Sequence, residues 1–479
     1  MQENTLSQCL GLGYIASYLK LSGHDVEIID ALAEGMDSIT SVSVNGQELL
    51  YRGLAYEAII EKIRRDTELI GISIPFTNLS GIAKNLCVLI RKHFPGVPIV
   101  AGGVHPSTLP YNMLDENIDY IVRGEGEIPM SEIALGKDPR KIKGLVFRAG
   151  SEIIDNGISQ QIDNLDQIPF PFRPAHLIDK YLNFSQRGQQ GKRTLSIVTS
   201  RGCPYDCNFC SVHPVSGYRW RARTPQNVVE EIKSYINNYD INHIEFEDDN
   251  ITLDPERAEK VFDAISALNK KITWAVDNGL RVDTLSERLL NKMKQSGCIQ
   301  VNLAIESGNQ ETLSLMNKKL SLNKAEEVVS FCAKVKIATL GFFLIGYPGE
   351  TKESFLKTAM FVKRLRRKGL QKIGAMIVNA YPGTELYNYC KQKGYLAKDI
   401  DSHIFVDDNY VSITTEDFDQ PLVISWRDSL EGLFHPFRWR LKQIAKIILS
   451  TTVFKKLTSF YLRKHTDVPK ETVLKFRQA

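Results

Sequence analysis

The chain has 479 residues, more than one typical domain, and an ordinary globular composition with room for two or three units that each bury a core. Its formal charge of +4 is spread over 60 basic and 56 acidic residues, which excludes an overall electrostatic case for a nucleic-acid partner. It contains no run of about 18 uncharged apolar residues and does not open on a basic segment leading into an apolar one, so neither a transmembrane helix nor a signal peptide is expected; the cytoplasm is the expected compartment.

Short apolar runs alternate with helical patterns from the start. Residues 12–21 read as a helix, 26–29 and 69–74 as strands, 81–93 as a helix, and 99–101 and 120–122 as further strands, with the turn Gly102-Gly103 between the last two. This rhythm predicts an α/β fold opening with a doubly wound, flavodoxin-like sheet over residues 1–136, with its ligand at the C-terminal ends of the strands. The chain begins in a polar segment and a helix, where such a sheet normally begins with a buried central strand. Either the start is truncated or misassigned, or the sheet is unusual.

Residues 137–190, with a hairpin near 144–154 and the proline-bearing run 168–174, read as a linker. Strands near 194–199, 242–246, 272–276, 299–304, 338–345 and 373–378, separated by helical segments, then predict a partial (β/α)6 barrel over 191–400 with its site at the strand C-terminal mouth. Residues 401–479 read as a helical extension. Within it, 438–464 carries eight Lys or Arg and no acid, while Leu441, Ile444, Ile447 and Ile448 recur at helical spacing. This suits a basic helix docked on the barrel, or one making a peripheral contact with a membrane surface or an acidic partner.

Eight cysteines in a chain this long do not form a secreted disulfide framework, and three of them, Cys203, Cys207 and Cys210, fall in one eight-residue window. This Cys-x3-Cys-x2-Cys array follows a predicted strand directly. Three thiolates suit a [4Fe-4S] cluster in which one iron has no protein ligand and is free to bind a small molecule. A zinc-bearing interaction protein is the competing reading; it needs a fourth ligand, for which His213 is the candidate, and closed zinc sites usually pair two near ligands with a distant pair.

With its spacing and its place after the first barrel strand, the segment 199–210 resembles the cluster loop of the radical S-adenosylmethionine (SAM) superfamily. The resemblance implies that Cys203, Cys207 and Cys210 ligate the cluster and that Phe209 lies near the adenine of SAM. Glu245-Phe246-Glu247-Asp248-Asp249-Asn250, after the second strand, is similar to the segment that receives the methionyl amine, which points to Asp248 and Asp249; a solvated acidic loop is the plain alternative. Asn278 and Arg281, after the third strand, are candidates for the SAM carboxylate or the substrate, and Arg281 is equally compatible with surface pairing. Ala304-Ile305-Glu306-Ser307-Gly308 resembles the ribose and carboxylate segment, with Glu306 and Ser307 as candidates. The run 341–350 resembles the fifth-strand signature, in which Gly346 lets the backbone approach adenine. Tyr381-Pro382-Gly383-Thr384-Glu385-Leu386 resembles the turn after the sixth strand.

In the first unit, 10–16, 102–107 and 124–127 resemble the cobalamin-binding domain found in one large class of these enzymes, which includes hopanoid and phosphinate methylases and the anaerobic cyclase of chlorophyll synthesis. Gly102 and Gly103 would admit a bulky ligand, and Ser107 would bond its nucleotide tail. The Asp-x-His-x-x-Gly motif that supplies a cobalt-ligating histidine is absent, so His105 belongs to the binding segment without being a strong candidate for cobalt. The resemblance covers about 1–400. It implies a [4Fe-4S] cluster, SAM and cobalamin as cofactors, a reductase, flavodoxin or ferredoxin as electron donor, and a small-molecule or lipid substrate. The expected activity is cleavage of SAM to a 5′-deoxyadenosyl radical in the service of methyl transfer to an unactivated centre; a radical oxidoreductase or cyclase without methyl transfer is the alternative.

Overall fold

The computed structural model describes residues 8–44, 47–183, 192–397 and 410–434. The first helix, Leu10–Leu21, turns its Tyr14, Ala16 and Leu19 inward. A two-stranded antiparallel excursion follows, β1 (Ile39–Val44) with β2 (Gln47–Arg52). Then come β3 (Ile70–Ser73), β4 (Ile99–Gly102) and β5 (Tyr120–Val122), a parallel run in that order. Residues 26–29, read above as a strand, form no ladder among the described residues. Val26 nevertheless packs against the core around Leu19, Val100 and Val122, so its apolar pattern records burial without strand pairing.

The hairpin assigned to a linker belongs to this sheet. β6 (Leu145–Ala149) pairs antiparallel with β5, setting Phe147 opposite Tyr120, and β7 (Glu152–Asp155) closes the edge. The N-terminal sheet therefore runs to residue 155 and not to 136. Its two faces bury separate cores, one around Ile74, Ile90 and Ile121 and one around Leu19, Val100 and Leu145.

The second unit is a six-stranded, wholly parallel sheet in sequential order: β8 (Thr194–Ile197), β11 (His243–Phe246), β12 (Thr273–Leu280), β13 (Cys298–Glu306), β14 (Ala338–Ile345) and β15 (Lys372–Ile377). The short strands β9 (Ser200–Arg201) and β10 (Arg221–Ala222) pair antiparallel just beyond β8. Five of its helices begin where side-chain caps satisfy their first free N–H groups. Thr224 accepts from Asn227 N, Asp254 from Arg257 N, Ser286 from Leu289 N and Thr384 from Tyr387 N, and Thr351 closes a capping box with Ser354. Proline at the first turn of the helices Pro225–Tyr239 and Pro255–Ser266 presets the backbone for entry.

The convex face carries the core. Trp274 stacks on Phe262 and meets the edge of Phe246, with ring centroids 4.8 and 5.3 Å away. On the opposite face, Ala304, Phe342 and Gly374 stand side by side in register across β13, β14 and β15. The helix Gln420–Phe434 covers β14 and β15 from outside, with Trp426 stacked on Phe355. The basic run 438–464 lies outside the described residues. No helix among the described residues is long and apolar enough to cross a membrane.

Candidate active site

The strand ends of the barrel converge on the loop that carries the three cysteines. Cys210 N bonds the Cys207 carbonyl at 3.0 Å, which folds the array back on itself, and all three thiols are half-buried. Burial pushes the Cys203 thiol above its ordinary value and the Cys210 thiol up to about 11. Among the described residues no set of three His, Cys, Asp or Glu side chains converges on one metal position. A cubane does not ask for such convergence, because each thiolate takes its own iron.

Neighbouring strands pin this loop at several points. Asn208, between the second and third cysteines, donates to the Leu315 carbonyl at 2.8 Å, accepts from the Tyr347 hydroxyl at 2.7 Å, and receives Leu386 N on its own carbonyl at 2.9 Å. Asn317 Nδ2 reaches the Asp206 carbonyl at 2.8 Å. His213 directs Nε2 at the Cys203 carbonyl, 3.1 Å away, while its ring stacks on Tyr218 at 3.7 Å. That nitrogen supports the loop backbone and is turned away from the role of fourth zinc ligand.

The acidic pair after β11 divides its labour. Asp248, 2% exposed, accepts from Thr199 N at 3.1 Å, Thr199 Oγ1 at 2.7 Å and Ser200 Oγ at 2.6 Å. Burial raises its pKa while these donors pull the other way. Its oxygens thus brace the strand end before the cysteine loop, a role beside the one expected of it at the SAM amine. Asp249 accepts from Gly202 N at 2.8 Å and stays half-buried; burial pushes its pKa up to about 6, opposed by that N–H.

A bulge follows Val276 in β12 and another follows Ala304 in β13. Such irregularities re-aim side chains at strand ends. The first sets Asn278 near the Asp248 carbonyl, with its Nδ2 3.4 Å away. The second leaves Glu306 at φ 66°. Glu306, expected at the ribose, holds Lys318 Nζ at 3.0 Å in a buried ion pair. Burial works against the ammonium, yet the facing carboxylate keeps Lys318 above its ordinary pKa.

Arg281 sits under the cysteine loop. Its guanidinium lies 3.5 Å from the Tyr205 ring centroid, pairs with Asp283 at 3.0 Å, donates to the Lys319 carbonyl at 3.2 Å, and brings Nη1 to 3.9 Å from Cys207 Sγ. It therefore supplies positive charge beside a thiolate cluster, and its fork is engaged by the protein. Ser307 is wholly buried, with Oγ on Thr358 Oγ1 at 3.1 Å and on Asn309 N at 3.1 Å, and so faces a packed helix instead of the mouth. At Gly346 the place of a side chain is taken by Val423, whose Cγ1 would lie 2.9 Å from a Cβ, and Gly346 N donates to Glu350 at 2.7 Å. Phe209 is half-buried against the barrel core.

The N-terminal unit presents the C-terminal rim of its sheet to this mouth. Helix Val104–Thr108 packs on His213–Ser216 of the cysteine loop, and a Cβ at Gly383 would meet Thr108 Cγ2 at 2.9 Å and Pro214 Cγ at 3.3 Å. At that rim Gly102 leaves ordinary clearance, with its nearest neighbour, Val122 Cβ, 3.8 Å from an ideal Cβ. Ser107 donates to the Gly103 carbonyl at 2.7 Å and accepts from Gly124 N at 3.0 Å, so its hydroxyl braces the loop. His105 is buried, with Nδ1 3.3 Å from Thr77 Oγ1 and Nε2 without a protein partner; burial lowers its pKa to about 4. An orphaned imidazole nitrogen and an open glycine at one rim fit a large polar cofactor there.

Sequence reasoning missed Asn208, Tyr205, Tyr347 and Lys318. Asn208 and Tyr205 lie inside the cysteine array, where their spacing was the only signal. Lys318 had none, because it reaches Glu306 only once the loop after β13 has turned back.

A three-thiol loop at the mouth of a partial barrel, facing the ligand-binding rim of a doubly wound sheet, is the architecture of an iron-sulfur enzyme served by a second cofactor. The family model of the radical SAM superfamily matches residues 197–362, and that of the B12 binding domain matches 7–134. The chain is 32% identical to an uncharacterized methyltransferase of Pyrococcus horikoshii over 386 residues, 79% of this chain and 78% of that one. It is 28% identical to the cytidylyl-2-hydroxyethylphosphonate methyltransferase of Streptomyces wedmorensis over 81% of this chain and 78% of that one. Among solved structures, the cobalamin-dependent S-adenosylmethionine radical enzyme OxsB with aqua-cobalamin and SAM bound shares the fold at a TM-score of 0.72 and 15% identity, covering 97% of this chain and 73% of that one. The chain belongs to the radical SAM enzymes that carry a B12-binding domain, and its cofactors are a [4Fe-4S] cluster, SAM and cobalamin.

Proposed function

We propose that this enzyme transfers a methyl group, by way of cobalamin, to an unactivated centre of a small molecule or lipid that presents an apolar surface, with Cys203, Cys207 and Cys210 holding the cluster. The observation that carries this reading is the meeting of the cysteine loop with the rim of the B12-binding unit at Thr108, Pro214 and Gly383. Both relatives named above are methyltransferases by name and match the chain across both units. When bound, the cofactors supply one-electron cleavage of the SAM sulfonium to a 5′-deoxyadenosyl radical and carriage of a methyl group.

The chain's own residues do the rest. Arg281 offsets charge beside Cys207, Asp249 fixes the loop backbone through Gly202 N, and Asn278 is a polar group at the mouth suited to the SAM amino-acid end. The inner wall over β14 and β15 is mainly apolar, with Gln300 and Asn302 of β13 sharing that face below Ala304. Leu340, Phe342 and Leu344 are half-buried, Met376 is 42% exposed, and Gly279 and Gly374 leave the Phe342 ring uncovered, with ideal Cβ atoms 3.3 and 3.1 Å from its edge carbons. Such a wall excludes water from a radical and favours a substrate with an apolar part. The electron comes from a reductase, flavodoxin or ferredoxin.

Anaerobic reconstitution with iron, sulfide and hydroxocobalamin, followed by SAM and dithionite, tests the reading. About four irons per chain, a corrin spectrum and both 5′-deoxyadenosine and S-adenosylhomocysteine are expected. 5′-Deoxyadenosine alone would favour an oxidoreductase, and zinc without iron would reject the cluster. Cys207→Ala abolishes 5′-deoxyadenosine formation on this reading; persistent cleavage would remove Cys207 from the ligand set.

A further inference from the structure

Arg201 stands two residues before Cys203, in β9, and Arg221 lies opposite it in the register of β10. Both guanidiniums leave the barrel. Arg201 Nη2 reaches Glu127 Oε1 at 2.7 Å and its Nη1 lies 3.5 Å from Glu125 Oε2; Arg221 Nη1 reaches the same Glu125 oxygen at 3.0 Å, and its Nη2 bonds the other. All four side chains are nearly buried.

The two carboxylates come from the turn after β5, on the rim of the B12-binding sheet. Gly124, at φ 91°, starts that turn, and Gly126 seats it on the first helix, with Ile15 Cδ1 only 2.7 Å from where a Cβ would stand. The same helix sends Tyr14 under the Arg201 guanidinium, 5.0 Å from its ring centroid, with its hydroxyl donating to the Val198 carbonyl at 3.4 Å. Arg221 also donates to the Ile162 carbonyl at 2.7 Å.

A segment resembling part of a cobalamin site thus turns its acids away from the rim and onto the two strands that flank the cluster loop. Two cations and two anions balance within the network, and a planar guanidinium bonded to a carboxylate at two points fixes orientation as well as separation. We infer that Glu125, Glu127, Arg201 and Arg221 form a clasp that sets the distance and angle between the iron-sulfur cluster and the corrin, acting as positioning residues for the hand-over between the two cofactors. The inference rests on the reading that Cys203 opens the cluster loop.

The test compares Glu127→Gln, Glu125→Gln and Arg201→Lys with the unmodified protein, reconstituted with cluster and hydroxocobalamin and reduced to the paramagnetic forms of both. Relaxation of the cob(II)alamin spin by the reduced cluster reads their separation directly. The expected result is full iron and cobalamin content with a changed or broadened relaxation enhancement, largest for Glu125→Gln, which touches both arginines, and smallest for Arg201→Lys, which keeps the charge. Unchanged relaxation in all three variants overturns the clasp. So does selective loss of cobalamin with an unaltered cluster, which would return the acids to the corrin site. Amide exchange over 199–203 in the cofactor-free chain supplies a second reading should a variant load poorly: severalfold faster exchange at Arg201, Gly202 and Cys203 supports the clasp, and an unaltered rate there refutes it. Iron bound to the unmodified protein without the thiolates of 203–210 would instead defeat the cluster assignment.

Discussion

The barrel and the N-terminal sheet hold their functional loops by different means. The barrel has strands of up to nine residues over one continuous core, and braces the cysteine loop with the buried Asp248 and Arg281 and the half-buried Asn208. The N-terminal sheet has parallel strands of three or four residues between two small cores, and around Gly103 its rim is fixed by close backbone approach and one short side chain. There Gly103 approaches Ile74 closely, and Ser107 bridges the Gly103 carbonyl and Gly124 N. A loop braced by a buried charge fails when the charge is removed, whereas a loop braced by backbone fails when a side chain is added.

The largest expected effect is in the barrel. Asp248→Ala leaves Thr199 N, Thr199 Oγ1 and Ser200 Oγ without their buried acceptor, and takes from Arg257, 3.1 Å from Thr199 Oγ1, the strongest of the negative charges acting on it. A loss of about 4 kcal/mol follows from three orphaned donors and one unbalanced charge. Urea unfolding of the cofactor-free protein measures it. A loss below about 1 kcal/mol would show that the cysteine loop does not lean on this carboxylate.

The same contrast explains what the sequence could show. All six barrel strands and the cysteine loop were legible, because long apolar runs alternate with capped helices such as Thr224-Pro225 and Asp254-Pro255. The direction of adjacent acids was not. Asp248 and Asp249 share one chemistry, and only the end of β11 turns the first inward to Thr199 and the second to Gly202. Residues 26–29 have a strand's composition, but composition reports burial, while a ladder needs a neighbour that local pattern cannot specify. The hairpin β6–β7 was visible as a hairpin; that it extends the first sheet is a non-local fact. Glu306 was legible as a candidate ribose-binding carboxylate after the fourth barrel strand, but its partner Lys318 was not.

The next effect belongs to the N-terminal rim. Gly103 has φ 112° and ψ −170°, a region reached essentially by glycine alone, and an added Cβ would stand 2.7 Å from the Ile74 carbonyl oxygen. Gly103→Ala is expected to cost about 3 kcal/mol in strain and displacement, and to weaken hydroxocobalamin uptake while leaving iron content unchanged. Gly136→Ala, at φ 69° with open space around it, is the control at about 1 kcal/mol. Equal losses for the two would mean that the close approach to Ile74 is relaxed in solution.

The smallest effect is a pH dependence that both units share. His243 lies at the start of β11, buried, with Nδ1 2.7 Å from Thr273 Oγ1, and burial lowers its pKa to about 3, with Lys192 adding to the shift. The unfolded chain takes up a proton below about pH 6.5 while the folded barrel does not, so this contribution is complete above that value and is lost as pH falls towards 3. Between pH 7 and 5 it amounts to about 2 kcal/mol, at about 1.4 kcal/mol per unit below the unfolded pKa. His243→Gln removes the titration, so its unfolding free energy should fall less between pH 7 and 5 than that of the unmodified chain. His105 in the N-terminal unit is held near 4 by the same cause, so His105→Gln should flatten the curve by a similar amount over this range and differ only nearer pH 4. Parallel curves for the His243 variant and the unmodified protein would place that imidazole in water and remove it from the barrel's buried floor.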